Sequence, residues 1–357
     1  MSRLDGYHGM VVAQYFSTIT DFFTLEEVSH SFSGTMSKFH TNPFPLSTKT
    51  LKYFPSIETL NIWSESDETF GNKVINSKCT LSPNKTDFFK IVVFYTVPYT
   101  PFKEDCAQNV FYKNIEYTYH DREKYGCVIP KEVTCIGNGC FSTAKLTTLE
   151  IPSNVVCINS YGLSIRGFDW SICDTLTRIS LTDKITQIEE NAFYNLKIED
   201  IVLPKLVNNL QNFCFRDCTC LTRVVLHEGI ESFGQGCFEN CRQLTNIEIP
   251  NSVTSIGPGC FYQCMSINKL IFPLKLKVIP SETAYLCKQL TTVVIPTSVT
   301  RINANAFLFN YKLTELNLPD TVVVLGERYY DNVQNKYDGY FDNGRFMEYG
   351  GLEGYRP

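Results

Sequence analysis

From about residue 128 to residue 325, apolar side chains recur in a fixed order at a spacing near 23 residues. One copy reads Ile249-Pro-Asn-Ser-Val-Thr-Ser-Ile-Gly-Pro-Gly-Cys-Phe-Tyr-Gln-Cys and closes with Met265 to Ile271, before Phe272-Pro273 restarts the pattern. Copies begin at Ile129, Ile151, Leu181, Leu203, Leu226, Ile249, Phe272, Ile295 and Leu318, in steps of 22, 30, 22 and then 23 residues. A fixed period of this length predicts stacked units, because one unit cannot enclose its own apolar face. The last apolar position of each copy and the first of the next lie two apart (Ile247 and Ile249, Leu270 and Phe272), the period of one strand face. A short parallel strand is therefore expected at each junction. The proline that follows (Pro130, Pro152, Pro204, Pro250, Pro273, Pro296, Pro319) ends it, since proline brings no N–H to a ladder. Thr182 and His227 stand in that place in two copies.

Further along each unit, the fifth and eighth positions stay apolar (Val253 and Ile256 in the copy above) and predict a second short extended segment. Gly137, Gly234 and Gly257 are expected to turn the chain, and one or two helical turns are expected around Cys-Phe-x-x-Cys. The thirteenth position is Phe141, Leu163, Phe193, Phe215, Phe238, Phe261, Ala284 and Phe307, which stacking would gather into one interior column.

The N-terminal third follows different patterns. Val12, Tyr15, Phe16 and Ile19 recur at helical spacing, and Thr24-Leu25-Glu26-Glu27 has the form of a capping box opening a second helix. Leu51, Phe54, Ile57, Leu60 and Ile62 echo the later units, Ile91 to Tyr95 reads as a buried strand, and Glu65 to Pro83 as polar loop. The expected organisation is a helical N-terminal cap over 1–46, degenerate repeats or a capping subdomain over 47–126, repeats over 127–326, and a C-terminal cap or tail over 327–357.

The run Leu244-Thr-x-Ile-x-Ile-Pro-x-Ser-Val-Thr-x-Ile-Gly-x-x-Cys-Phe-x-x-Cys264 resembles the BspA-like class of leucine-rich repeat. The resemblance covers about Val128 to Leu325. It implies an α/β repeat solenoid: a leucine-rich-repeat superhelix of about nine 22–23-residue units with a parallel sheet on one face. It also implies recognition of a protein partner without catalysis, with cell-surface adhesion as one form of that recognition. The segment from His8 to Phe32, through Val11-Val12, Tyr15-Phe16, Asp21-Phe22, Leu25 and Val28, resembles a degenerate F-box, though it lacks the opening Leu-Pro and the closing Trp. That resemblance implies docking on a ubiquitin-ligase core through residues 12–32. A helical cap over the first repeat is the alternative.

The net charge of −5, with both signs interspersed, provides no cationic stripe for nucleic acid. No apolar run has the length of a membrane span, and no basic start precedes the short apolar run Met10 to Phe16. A reducing cytoplasmic setting is expected, with a leaderless route to the cell surface as the alternative. The fifteen cysteines lie mostly in register with the repeat. The pairs Cys214/Cys218, Cys237/Cys241 and Cys260/Cys264 could be zinc or redox columns. The same positions hold Ala192, Ala306, Leu196 and Asn310, which suits packing thiols better. No catalytic, cofactor or metal constellation is expected. His227 reads as a replaced proline.

The strand positions that point away from the core vary from copy to copy. One column runs Thr148, Arg178, Asp200, Arg223, Asn246, Lys269, Thr292, Glu315, and the other Glu150, Ser180, Val202, Val225, Glu248, Ile271, Val294, Asn317. Cations beside exposed apolar side chains are frequent at interfaces. The candidate partner-binding residues are accordingly Arg178, Arg223, Val225, Glu248, Lys269, Ile271 and Val294, with Trp170 on the loop inserted at the 30-residue step.

Overall fold

A computed structural model describes residues 6–79, 84–142, 144–163, 175–319, 322–324, 339–342 and 345–348. The chain forms two compact units, Met1–Glu116 and Tyr117–Pro357.

In the first unit, α1 (Gly6–Ala13) and α2 (Ile19–Val28) pack over an aromatic centre. Phe22 is fully buried, with its ring 5.2–5.4 Å from those of Phe16, Phe39 and Phe54. The helices differ from the expected ones. The first ends at Ala13, and the second is opened by a capping box one turn and a half before Thr24. Thr18 Oγ1 accepts the Asp21 N–H, and the Asp21 carboxylate accepts the Thr18 N–H at 3.0 Å. Starting there lets Phe22 reach the core. Thr24 then falls inside the helix, where its hydroxyl donates back to the Thr20 carbonyl. After α3 (Thr48–Leu51), three parallel strands follow: β1 (Thr59–Ile62), β2 (Lys90–Pro98) and β3 (Val110–Tyr117), with α4 (Tyr99–Asp105) between the last two. The register sets Leu60 beside Ile91 and Ile91 beside Val110, all buried.

The second unit opens with α5 (Tyr119–Tyr125) and then repeats one plan. One series of short strands is β5 (Thr148–Glu150), β7 (Arg178–Ser180), β9 (Asp200–Val202), β11 (Arg223–Val225), β14 (Lys269–Ile271), β16 (Thr292–Val294) and β18 (Glu315–Asn317). A second series is β4 (Cys135–Ile136), β6 (Cys157–Ile158), β8 (Gln187–Ile188), β10 (Asn209–Leu210), β12 (Ser232–Phe233), β13 (Ser255–Ile256), β15 (Val278–Ile279), β17 (Arg301–Ile302) and β19 (Val323–Val324). Every pairing within these series is parallel. Neither series is continuous. The first divides into β5–β7, β9–β11 and β14–β16–β18, and Asn246–Glu248 forms no strand. In the expected C-terminal cap, β20 (Gly339–Asp342) and β21 (Arg345–Glu348) pair antiparallel, and the rest lies outside the described residues.

The helical turns expected around Cys-Phe-x-x-Cys are absent among the described residues. Residues four apart there take left-handed backbone (Asn191 and Asn195, Phe213 and Asp217, Gly236 and Asn240, Gly259 and Gln263) and break any helix. The reversal directs N–H groups at the next unit. Gly236, Phe238 and Asn240 donate to Pro258, Cys260 and Tyr262, and Gly259, Phe261 and Gln263 donate to Ser281, Thr283 and Tyr285. Such bonds link every successive pair of units from Gly139 to Leu308. This turn ladder runs unbroken where both strand series are interrupted.

Between the three ladders lies the core. The rings of Phe193, Phe215, Phe238 and Phe261 are parallel within 2° at centroid spacings of 4.8, 5.4 and 5.7 Å. Ala284 interrupts this stack, and Phe272, at the first position of its unit, brings its ring to 6.1 Å from Phe307. Leu146 is only half-buried, unlike its counterparts from Leu176 to Leu313. Gly234 and Gly257 serve a purpose other than the expected turn. A Cβ on Gly234 would stand 2.5 Å from the Asn212 nitrogen, and one on Gly257 2.5 Å from the Gly234 carbonyl carbon. They are glycines because neighbouring backbones touch.

Candidate partner-binding face

The outward face is built by three-residue strands whose middle side chain enters the core. Leu149, Ile179, Ile201, Val224, Leu270 and Val293 are buried, and on β5, β7, β9, β11 and β14 both neighbours are exposed. From β5 to β14 the two expected columns therefore stand on the surface. In register, Arg178 lies beside Thr148, Arg223 beside Asp200, Val225 beside Val202, Lys269 beside Thr292 and Ile271 beside Val294. Val202 is 57% and Ile271 50% exposed, and Val225 and Val294 also reach solvent. Glu248 is exposed too, but on a segment that is not a strand. Trp170 lies outside the described residues. Among the described residues, no carboxylate forms an ion pair with Arg178, Arg223 or Lys269.

Threonines hold the strands from the side. The hydroxyls of Thr222, Thr291 and Thr314 donate to the carbonyls of Glu199, Asn268 and Thr291 in the preceding unit. His227, in a proline position, does similar work. Its Nδ1 accepts the Gly229 N–H at 3.0 Å, so Nε2 carries the proton and donates to the Pro204 carbonyl at 2.9 Å. With both nitrogens engaged, the ring is a bridge between units.

A cleft of about 430 Å³ opens on this face between β7 and β9, lined by Arg178 to Leu181, Asp183 and Asp200 to Pro204. Sequence reasoning passed over Asp183 and Asp200 as site residues. The signals were present: the unit starting at Leu181 is 22 residues long, and Thr182 replaces the usual proline.

The cysteine columns lie on the opposite side of each unit, in the core. Every described cysteine is free. The thiols of Cys218, Cys241, Cys264 and Cys287 donate to the carbonyls of Phe193, Phe215, Phe238 and Phe261 at 3.0–3.1 Å. In the same column the Asn310 amide donates to the Ala284 carbonyl at 2.8 Å. Burial pushes the thiols of Cys218 and Cys287 up to about 12, and those of Cys214, Cys237, Cys241 and Cys264 well above their ordinary value. Held as S–H, they act in this structure as hydrogen-bond donors and packing groups. Among the described residues, no cluster of three or more His, Cys, Asp or Glu is placed to hold a metal ion, and no helix is long and apolar enough to cross a membrane.

Several solved structures share likeness with the chain. A leucine rich repeat protein of T. pallidum is 25% identical over 51% of this chain and 74% of its own, with a TM-score of 0.40. A leucine-rich repeat protein of Eubacterium ventriosum is 15% identical over 82% and 88%, with a TM-score of 0.43. A leucine rich cell surface protein of Faecalibacterium prausnitzii is 20% identical over 64% of this chain and 65% of its own, with a TM-score of 0.39. No curated protein matches the chain. The profile of the BspA type Leucine rich repeat region matches six copies, over residues 116–169, 163–242 and 209–336. With stacked 22–23-residue units, parallel strands and this match over more than half its length, the chain belongs to the BspA-type leucine-rich repeat family.

Proposed function

We propose that this chain is a non-enzymatic scaffold that binds a protein partner through the outward face of its repeat strands. The observation that carries the reading is the exposed apolar column Val202, Val225, Ile271 and Val294 beside the cations Arg178, Arg223 and Lys269, which form no ion pair among the described residues. Desolvating those apolar side chains supplies a driving force, and the cations select the partner by charge. Glu248 extends the candidate surface, and Trp170, outside the described residues, stays a candidate from the sequence. Arg223→Glu with Val225→Asp is expected to abolish capture of the partner in a pull-down while circular dichroism stays native. Capture that survives the pair of substitutions overturns the reading.

A second surface supports an alternative. Val11, Val12, Tyr15 and Val28 are exposed on or beside α1 and α2, and these lie within the segment that resembles an F-box. In that reading, residues 12–32 dock on a ubiquitin-ligase core and the repeats carry the substrate. Co-purification of the linker subunit of such a ligase, lost on deleting residues 1–40, is the result it requires. The expected setting is the cytoplasm, with a leaderless route to the cell surface as the alternative. Antibody labelling of intact cells would instead identify a cell-surface adhesin.

A further inference from the structure

Two thiols lie outside the interior columns. Cys135 on β4 and Cys157 on β6 hold the seventh position of consecutive units, and the parallel register sets one directly beside the other. In later units that position carries Gln187, Asn209, Ser232, Ser255 and Arg301, and valine twice. Gln187, Asn209, Ser255 and Arg301 are exposed there, while the next residue of each strand is buried. The position therefore faces away from the core, and filling the interior does not account for a cysteine in it. Cys157 is half-buried and Cys135 9% exposed, at the margin of the surface.

The two thiols share one acceptor. Asn159 Oδ1, on the turn after β6, accepts from Cys157 Sγ at 3.1 Å and from Cys135 Sγ at 3.5 Å. The interior thiols differ, each donating to its own main-chain carbonyl. Sulfur atoms that converge on one oxygen from neighbouring strands are placed to converge on one ion. Adjacent strands stand about 4.8 Å apart, and two metal–thiolate bonds at the length found in zinc sites span about 4.6 Å. A disulfide demands more of the backbone, since its Cβ atoms must come to about 3.8 Å. Zinc takes four ligands, and among the described residues no third His, Cys, Asp or Glu joins the pair. Soft thiolates favour copper(I), which is satisfied by two sulfurs in line.

We propose that Cys135 and Cys157 bind one copper(I) ion between consecutive units. Each thiol gives up a proton, so binding releases two protons and leaves a complex with one negative charge and no change in oxidation state. Asn159, as a positioning residue, turns its amide so that Nδ2 donates to the sulfurs. The site is separate from the proposed partner-binding face and does not rest on it.

The test is an anaerobic titration of the reduced full-length protein with copper(I) against a chromophoric copper(I) chelator. Serine is what Ser232 and Ser255 supply at this position, so Cys135→Ser and Cys157→Ser are expected to fold as the parent does, checked by circular dichroism. The parent is expected to withdraw one equivalent of copper(I) that each single variant lacks, while Cys106→Ser, at an exposed cysteine outside the pair, keeps it. Asn159→Ala is expected to weaken that equivalent about tenfold. In the parent, copper(I) should block iodoacetamide alkylation of Cys135 and Cys157 together, read by mass spectrometry, and zinc(II) should not. Uptake that survives either serine substitution, or equal protection by zinc(II), overturns the proposal. A Cys135–Cys157 disulfide recovered in place of bound copper overturns it as well, and identifies a redox pair.

Discussion

Gly257 and Gly259 lie two residues apart and are required for different reasons. At Gly257 a Cβ would meet the backbone of the preceding unit, and backbone cannot step aside as a flexible side chain does. Gly257→Ala is expected to destabilise by about 2–3 kcal/mol in urea denaturation, the scale of an overpacked core. Gly259 has φ +62 and open space, its nearest side-chain atom being Tyr262 Cβ at 3.7 Å. Alanine there should cost about 1 kcal/mol, and asparagine, which tolerates the left-handed region, a few tenths. The buried thiols make a pH prediction. Their native values are raised from about 9.0, to about 12 for Cys218 and Cys287. Below pH 9 both folded and unfolded thiols keep their protons and stability is flat. Above it the unfolded chain loses protons that the folded chain retains. Unfolding free energy, followed by thermal melts, should therefore fall from pH 9 toward 12. Asn310 shows where the sequence was under-read. The shared column of Leu196, Cys218 and Asn310 was legible as interior. That an amide and a thiol alternate there because each donates to a carbonyl one unit back required the coordinates.

Among the elements, the strands were the legible part. Their period of two, ending at a proline, is written in apolar positions, and β5, β7, β9, β11, β14, β16 and β18 fall where that period places them. The turns were not legible, because the left-handed residues that set them include Phe213, Leu286 and Phe309, side chains with no preference for that region. Two consequences are measurable. Phe238 is fully buried, with parallel rings at 5.4 and 5.7 Å on its two sides. Phe238→Ala should cost about 3–5 kcal/mol in denaturant titration. Thr18→Ala, which removes both hydroxyl contacts of the α2 capping box, should cost about 1 kcal/mol, seen as a lower melting temperature. The candidate cleft was half legible. The short step beside it stands in the spacing of the copies. Its contents depend on which side chains gather at the break, and spacing alone does not carry that.

At the scale of the molecule, the second unit is held by contacts between neighbouring repeats, so its stability follows the interfaces between them one at a time. Hydrogen exchange should show this unevenness. The amides of Phe215, Phe238 and Phe261, which bond to the next unit inside the core, are expected to be the slowest, and the amide of Leu181 among the fastest. Equal protection at Leu181 and Leu203 would contradict the break in the strand pairing.

Because hydrogen bonds along the turns hold across every step, including the long one between Leu163 and Ala192, that edge behaves as the binding of a book and the strand edge as its pages. Lengthening or trimming a page changes how far the leaves fan apart without unstitching the volume. Selection is thereby free to reshape the reading surface, one repeat at a time, while the order of the repeats is kept from the other side.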